Sequence, residues 1–175
     1  TLLMIKKGLS FYCDQDTYKS RTKFIHDVIE LNRLDIRFPA IIRNFLIDGS
    51  GLFYFRPDPK LKYQIYFFNK KQYRVYHDAN GQIDEVVILY DYKVKNNNLG
   101  LPSDVYGQNK RYVRLSITAD EITENESDTE LSFELEPGGV LTADRKRPNQ
   151  LGFVPAVEVL NKPNASGTEG EGDFD

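Results

Sequence analysis

Tyr73-Arg-Val-Tyr76-His77-Asp78-Ala-Asn80-Gly81-Gln-Ile83-Asp-Glu-Val-Val-Ile-Leu-Tyr90 is the stretch that decides the fold class. Asn80-Gly81 tolerates the positive φ that a tight hairpin needs, and the flanks are rich in β-branched and aromatic residues. The stretch reads as a strand over 73–77, a turn over 78–81 and a long return strand over 83–94. Other strands follow outward from this pair. Leu52-Phe-Tyr-Phe-Arg56 reads as a strand stopping at Pro57, and 63–68 as another. Downstream, 96–108 reads as a loop, 111–118 and 129–135 as strands, and 153–160 as a last apolar strand.

Ahead of the strands the period changes to that of a helix. Ile25, Val28, Ile29 and Asn32 fall at helical spacing, which predicts a helix over 18–32 with Thr17 as its cap. A second helix is predicted over 38–48. Pro39 suits its first turn, Ile41, Ile42, Phe45 and Leu46 form an apolar stripe, and Gly49 suits its C-terminal stop. Residues 1–16 read as an extended entry with Leu9, Phe11 and Cys13 on one face. Helices followed by a meander of strands define an α+β domain with mainly antiparallel sheet. Past Lys162 the composition turns to Gly, Ser, Asn and Glu. The expected organisation is one domain over 1–162 and a flexible acidic, Gly-rich segment over 163–175.

Charge narrows the function classes. The net charge is −3, and residues 120–136 carry eight acids and no base. A nucleic-acid-binding domain would show the opposite balance, so no nucleic-acid binding by this chain is expected. Lys70-Lys71 and Arg145-Lys146-Arg147 are short basic clusters, of which the second could meet an acidic partner surface. If the acidic run and this basic triplet face different neighbours in an assembly, they would supply a salt-sensitive part of its contacts. No apolar run is long enough for a bilayer span, so no membrane partner is expected. The single cysteine, Cys13, excludes an internal disulfide and suits a reducing place of synthesis. Position 1 is Thr, which points to a fragment or a processed product.

Catalytic chemistry finds little footing. His26 adjoins Asp27 and His77 adjoins Asp78, but sequence neighbours on a helix or strand point to different faces, so neither pair is oriented for acid–base work. Gly49-Ser50-Gly51 follows a helix and precedes a strand, the reverse of the order a phosphate cradle requires. The glycine-rich end, 167–175, lacks the alternating ligands and the distal Glu of a calcium loop. No catalytic residue, cofactor or metal site is expected.

The order of several degenerate motifs resembles that of the bacteriophage portal family, the head–tail connector proteins. An Asn-containing helical stretch, Asn32 through Pro39, leads to a helix ending at a Gly-x-Gly step, Gly49-Ser-Gly51, and an aromatic strand. A strand, an acidic turn and a strand ending in Tyr follow, with Tyr76, Asp78 and Tyr90 in the matching places. A "Thr-x-acidic-x-Ile" step follows as Thr118-Ala-Asp120-Glu121-Ile122. A "Leu-Gly-x-x-Pro" strand closes the series with Leu151, Gly152 and Pro155, then Asn161 and a Gly-containing acidic step at Gly170 and Asp173. Here Gly172 stands where the family commonly has Ser, a residue that often caps the start of the next helix. The resemblance covers most of the chain and matches the family's N-terminal wing portion. It implies a structural subunit of a ring at the capsid vertex, expected to be a dodecamer. The implied partners are further copies of the chain, the terminase, the capsid and head–tail adaptor proteins, with DNA passing through the ring without being bound by this piece. The implied location is the virion, after assembly in the bacterial host cytoplasm. Two other readings stand beside it: another phage structural or adaptor module, and a hydrolase built on His77 or the acidic cluster.

Overall fold

The computed structural model describes residues 19–60, 62–93, 110–134 and 141–161. They form an α+β fold of two helices and two antiparallel sheets. The elements are α1 (Lys19–Leu31), α2 (Leu34–Asp48), β1 (Ser50–Asp58), β2 (Lys62–Asn69), β3 (Tyr73–His77), β4 (Ile83–Lys93), β5 (Lys110–Thr118), β6 (Glu121–Ser127), β7 (Ala143–Pro148) and β8 (Ala156–Leu160). They fall into two compact units, the first ending at Lys70 and resuming at Ala156, the second being Lys71–Pro155. The sequence drew no boundary inside 1–162. Its segment 163–175, its entry 1–16, the cap Thr17 and the loop 96–108 lie outside the described residues.

In the first unit, α1 stops where Arg33 enters the left-handed region, at φ 52°. The chain turns there, and α2 starts at once, with the Ile36 and Arg37 amides donating to the Arg33 carbonyl. The expected start at Phe38 is therefore corrected to Leu34, and Pro39 sits inside the helix instead of in its first turn. An interior proline removes one backbone hydrogen bond. The burial of Leu34 against Val28 and Ile65, with Ile29, Phe53 and Phe55 around them, offsets that loss. Of the predicted stripe only Ile41 is fully buried; Ile42, Phe45 and Leu46 are half-buried. Gly49, at φ 74°, ends the helix with its amide donating to Phe45.

The sheet of this unit has the order β2-β1-β8. β1 pairs over Gly51–Asp58 with β2 and, over Ser50–Tyr54, with β8. Phe53, Phe55 and Ile65 face the helices. On the other face Leu52, Tyr54, Phe68 and Ala156 are buried, and the Tyr66 ring stacks between Tyr54 and Phe68. β8 begins later than predicted, at Ala156.

The second unit is a meander, β3-β4-β5-β6-β7, with every neighbour antiparallel. Val86, Ile88, Val113, Leu115 and Ile117 alternate into one face with Tyr73 and Ile122. The 73–90 hairpin lies as predicted, with Gly81 at φ 78°. The predicted strand over 129–135 is corrected. Its described part, 129–134, is irregular, and the strands here are β6 and β7. Glu and Asn are weak strand formers, so propensity argued against 121–127. Pairing on both sides, with β5 and β7, overrides it. The 129–134 segment is held by side chains instead. Arg114 of β5 donates to the Phe133 carbonyl at 2.8 Å, and the Arg74 guanidinium of β3 lies 4.5 Å from the centre of the Phe133 ring.

Candidate functional site

The residues singled out by the motif series are distributed over both units. In the first, Gly49 and Asn161 meet, the Asn161 amide donating to the Gly49 carbonyl at 2.8 Å. An early and a late step of the series are thus joined at one end of the β1–β8 pair. Gly51 is buried in β1, and a Cβ there would lie 2.5 Å from two carbons of the Phe67 ring. That ring crosses over Gly51 and packs edge-on against Phe53, 5.2 Å between centroids. The Gly-x-Gly step thus has two separate causes: a left-handed helix end at Gly49 and a ring seated on bare backbone at Gly51.

In the second unit, Asp78 builds the hairpin turn. Its Oδ1 accepts from the amides of Asn80 and Gln82, both at 2.8 Å. The Gln82 amide, followed by that of Asn80, holds its carboxyl below the usual carboxylate value. Tyr76 is exposed at a register shift in β3. Tyr90 lies half-buried beside a small cleft of about 190 Å3, shared with Lys71, Tyr112 and Glu130. Thr118 clips the β5–β6 turn, its Oγ1 accepting from the Glu121 amide at 3.0 Å and donating to the Glu121 carbonyl at 3.1 Å. Pro155 is buried at the entry to β8. Gly170 and Asp173 lie outside the described residues. The structure therefore does not bring the described positions to one centre; Asp78 and Thr118 close turns, Gly49 ends a helix and Pro155 leads into β8.

Two buried amides were missed. Asn149 ties the β5–β6 turn to the approach to β8, donating through Nδ2 to Thr118 at 2.7 Å and to Phe153 at 2.8 Å. Asn32, only 6% exposed, donates through Nδ2 to the carbonyl of Tyr63 at 2.6 Å and accepts the amide of Ile65 at 2.9 Å. Arg37 adds a bond to the Ile65 carbonyl at 3.1 Å. The signal at Asn32 was present in the sequence: one amide on an otherwise apolar helical stripe implies a buried partner.

Beside Asn32 a groove of about 380 Å3 opens between α1, the start of α2 and the β1–β2 pair. Its floor is Phe53, Phe55 and Ile65, and its mouth is Phe24 and Ile25, both partly exposed. Tyr63 meets Phe24 edge-on at 6.2 Å, and Lys62 caps that ring at 5.1 Å while bonding Asp27 at 2.6 Å. The Lys62 bond holds the Asp27 carboxyl below its usual value. The groove suits an apolar group and offers no converging polar atoms.

The acidic run and the basic triplet lie side by side within the chain. β6 and β7 are adjacent, and Arg145 lies 3.4 Å from Glu124 and 3.3 Å from Glu126, with Lys146 3.7 Å from Glu121. His26 and His77 are exposed on separate units. Among the described residues, no three His, Cys, Asp or Glu side chains cluster to hold a metal, and no helix is long and apolar enough to cross a membrane. Neither a family profile nor a curated protein matches the chain.

Proposed function

We propose that this chain is the wing-region part of a phage portal subunit, a structural component of the ring through which DNA is packaged and released. The ordered series of motifs from Asn32 to Asn161 carries this reading. No single step in it is specific, and the sequence of steps along one α+β chain is what supports the assignment. The contact of Gly49 with Asn161 supports it further, because steps far apart in the chain then belong to one local structure. On this reading the chain is not an enzyme. It acts as a ring subunit with copies of itself, the terminase, the capsid and head–tail adaptors, in the virion and on the assembly pathway in the host cytoplasm. The scattered turn-closing roles of Asp78 and Thr118 suit a scaffold in which geometry is the product.

Electron microscopy of the complete gene product that contains this chain tests the proposal. Closed rings with an axial channel are expected. A complete product that stays monomeric under assembly conditions, or that forms filaments or open sheets, would sink the reading.

A further inference from the structure

Asn80-Gly81 is the one Asn-Gly pair in the chain, and both residues are exposed. An Asn followed by Gly is the pairing most open to spontaneous loss of the side-chain amide. The backbone nitrogen of the second residue can close a five-membered ring on the Asn side-chain carbonyl, and glycine places no side chain in the way. A Cβ at Gly81 would itself meet nothing within 4 Å, so no described neighbour crowds this side of the turn.

The folded turn works against that reaction. The Gly81 amide donates to the Asp78 carbonyl at 3.0 Å, which closes a β-turn over 78–81. Neither Ala79 nor Asn80 has a positive φ, which leaves a type I turn, whose third residue has ψ of about 0°. At that angle the Gly81 nitrogen eclipses the Asn80 nitrogen and lies well away from the Asn80 Cβ, so the ring cannot close. Asp78 secures the shape. Its Oδ1 accepts from the amides of Asn80 and Gln82, both at 2.8 Å, and its Oδ2 accepts a longer bond from Asn80 Nδ2 at 3.4 Å. The leaving amide and the amides on either side of the attacking nitrogen are thus tied to one carboxylate.

We propose that Asn80 is a deamidation site of this chain, and that Asp78 is the latch that keeps it closed while the hairpin is folded. When the turn opens, the Gly81 nitrogen gives up its proton to solvent base and bonds to Asn80 Cγ. The Cγ–Nδ2 bond breaks, and Nδ2 leaves as ammonia after taking a proton from water. The cyclic imide then adds water at either of its carbonyls and opens to aspartate or isoaspartate. In sum a water is consumed and an ammonia released, with no change of oxidation state. Isoaspartate lengthens the main chain at the turn that joins β3 to β4, and either product adds a negative charge beside Asp78. The modification therefore records that this hairpin has been open, whatever the chain's wider function.

Peptide mapping by mass spectrometry tests it on the full chain held for days at fixed pH and temperature, with isoaspartate separated from aspartate by chromatography. The chain in denaturant gives the rate for an open turn. Asn80 is expected to convert there before the other asparagines, and about a hundredfold more slowly in the folded chain. Loss of the carboxylate's bonds in Asp78→Ala should raise the folded chain's rate by about tenfold. Asp78→Asn removes the same charge but keeps an oxygen acceptor, so its rate should stay close to the parent's. A folded parent that converts as fast as the denatured chain overturns the proposal, as does a folded Asp78→Ala that converts no faster than the parent. Asp78→Asn matching Asp78→Ala would show that charge sets the rate and would equally remove the latch. If Asp78→Ala fails to fold, the folded and denatured parent together with Asp78→Asn decide, and a rate for Asp78→Asn as high as in denaturant overturns the proposal.

Discussion

β2 and β7 are both edge strands among the described residues, and they are built with opposite chemistry. β7 reads Ala143-Asp-Arg-Lys-Arg-Pro148, and from Asp144 to Pro148 every residue is exposed. Its charges are paired across the strand to β6, and a proline ends it. β2 is aromatic and uncharged from Tyr63 on, and at Tyr63 and Ile65 its backbone groups are met by the Asn32 amide and the Arg37 guanidinium of the helical corner. Charge protects an edge from within its own strand, so it tolerates the loss of any one residue. The contrast extends inward. The second unit is held by an alternating apolar face, the first by helices laid over a sheet with an open groove between them.

The contrast can be broken most severely in the cores. Ile88→Ala in β4, where the side chain is fully buried, is expected to cost about 2–5 kcal/mol in chemical denaturation. Phe45→Ala in α2 should cost clearly less than the about 3–5 kcal/mol of a fully buried Phe, because Phe45 is only half-buried. Equal losses would show that α2 is packed as tightly as the strands. Next comes Gly51→Val. Its Cβ would displace the Phe67 ring, and a loss of about 1–3 kcal/mol in thermal or denaturant unfolding is expected. Gly51→Val combined with Phe67→Ala should recover part of that loss, and no recovery would mean that the ring is not the obstacle.

The edges themselves differ more gently. Arg145→Ala should change stability by no more than about 1 kcal/mol, and added salt should shrink the difference, since the Arg145 side chain is exposed, though its partners Glu124 and Glu126 are half-buried. A larger, salt-independent loss would place β7 in the same class as β2. The smallest effect concerns acid. Asp78 and Asp27 have carboxyls lowered in the folded state, by the Gln82 amide and by Lys62. Their stabilisation is present above the unfolded carboxylate value and is lost as pH falls through the lower folded values. The parent should therefore lose slightly more melting temperature on moving from neutral to strongly acid solution than Asp78→Ala does. A variant that loses as much as the parent would remove Asp78 from the account.

The legible parts of the fold were those written in local chemistry. Asn80-Gly81 announced its hairpin, Gly49 its helix end, and Ile25, Val28 and Ile29 their helix, because each depends on neighbours within a few positions. β7 was not legible, since a basic triplet beside an acidic run looks like two solvated patches until the register sets Arg145 beside Glu124 and Glu126. The helix start at Leu34 was hidden by Pro39, whose local cost is outweighed by burial that no window of sequence displays. Of the candidate site, the motif positions were legible as positions only. What each does, such as Thr118 clipping its turn or Asn161 reaching Gly49, depends on partners the chain brings from a distance.

The chain leaves the first unit after Lys70 and returns to it at Ala156, so the second unit is an insertion between β2 and β8. β1 pairs with β8 across that whole insertion, as Ser50 does with Leu160. During synthesis from the N-terminus, the meander has all its strands before β8 emerges, and each of them pairs with a sequence neighbour. The three-stranded sheet must wait for its last strand. The order of folding that this topology favours is therefore the inserted sheet first and the enclosing sheet last. While the enclosing sheet waits, β1 exposes the flank that β8 will later fill, and the nascent chain is most vulnerable to wrong pairing in that interval.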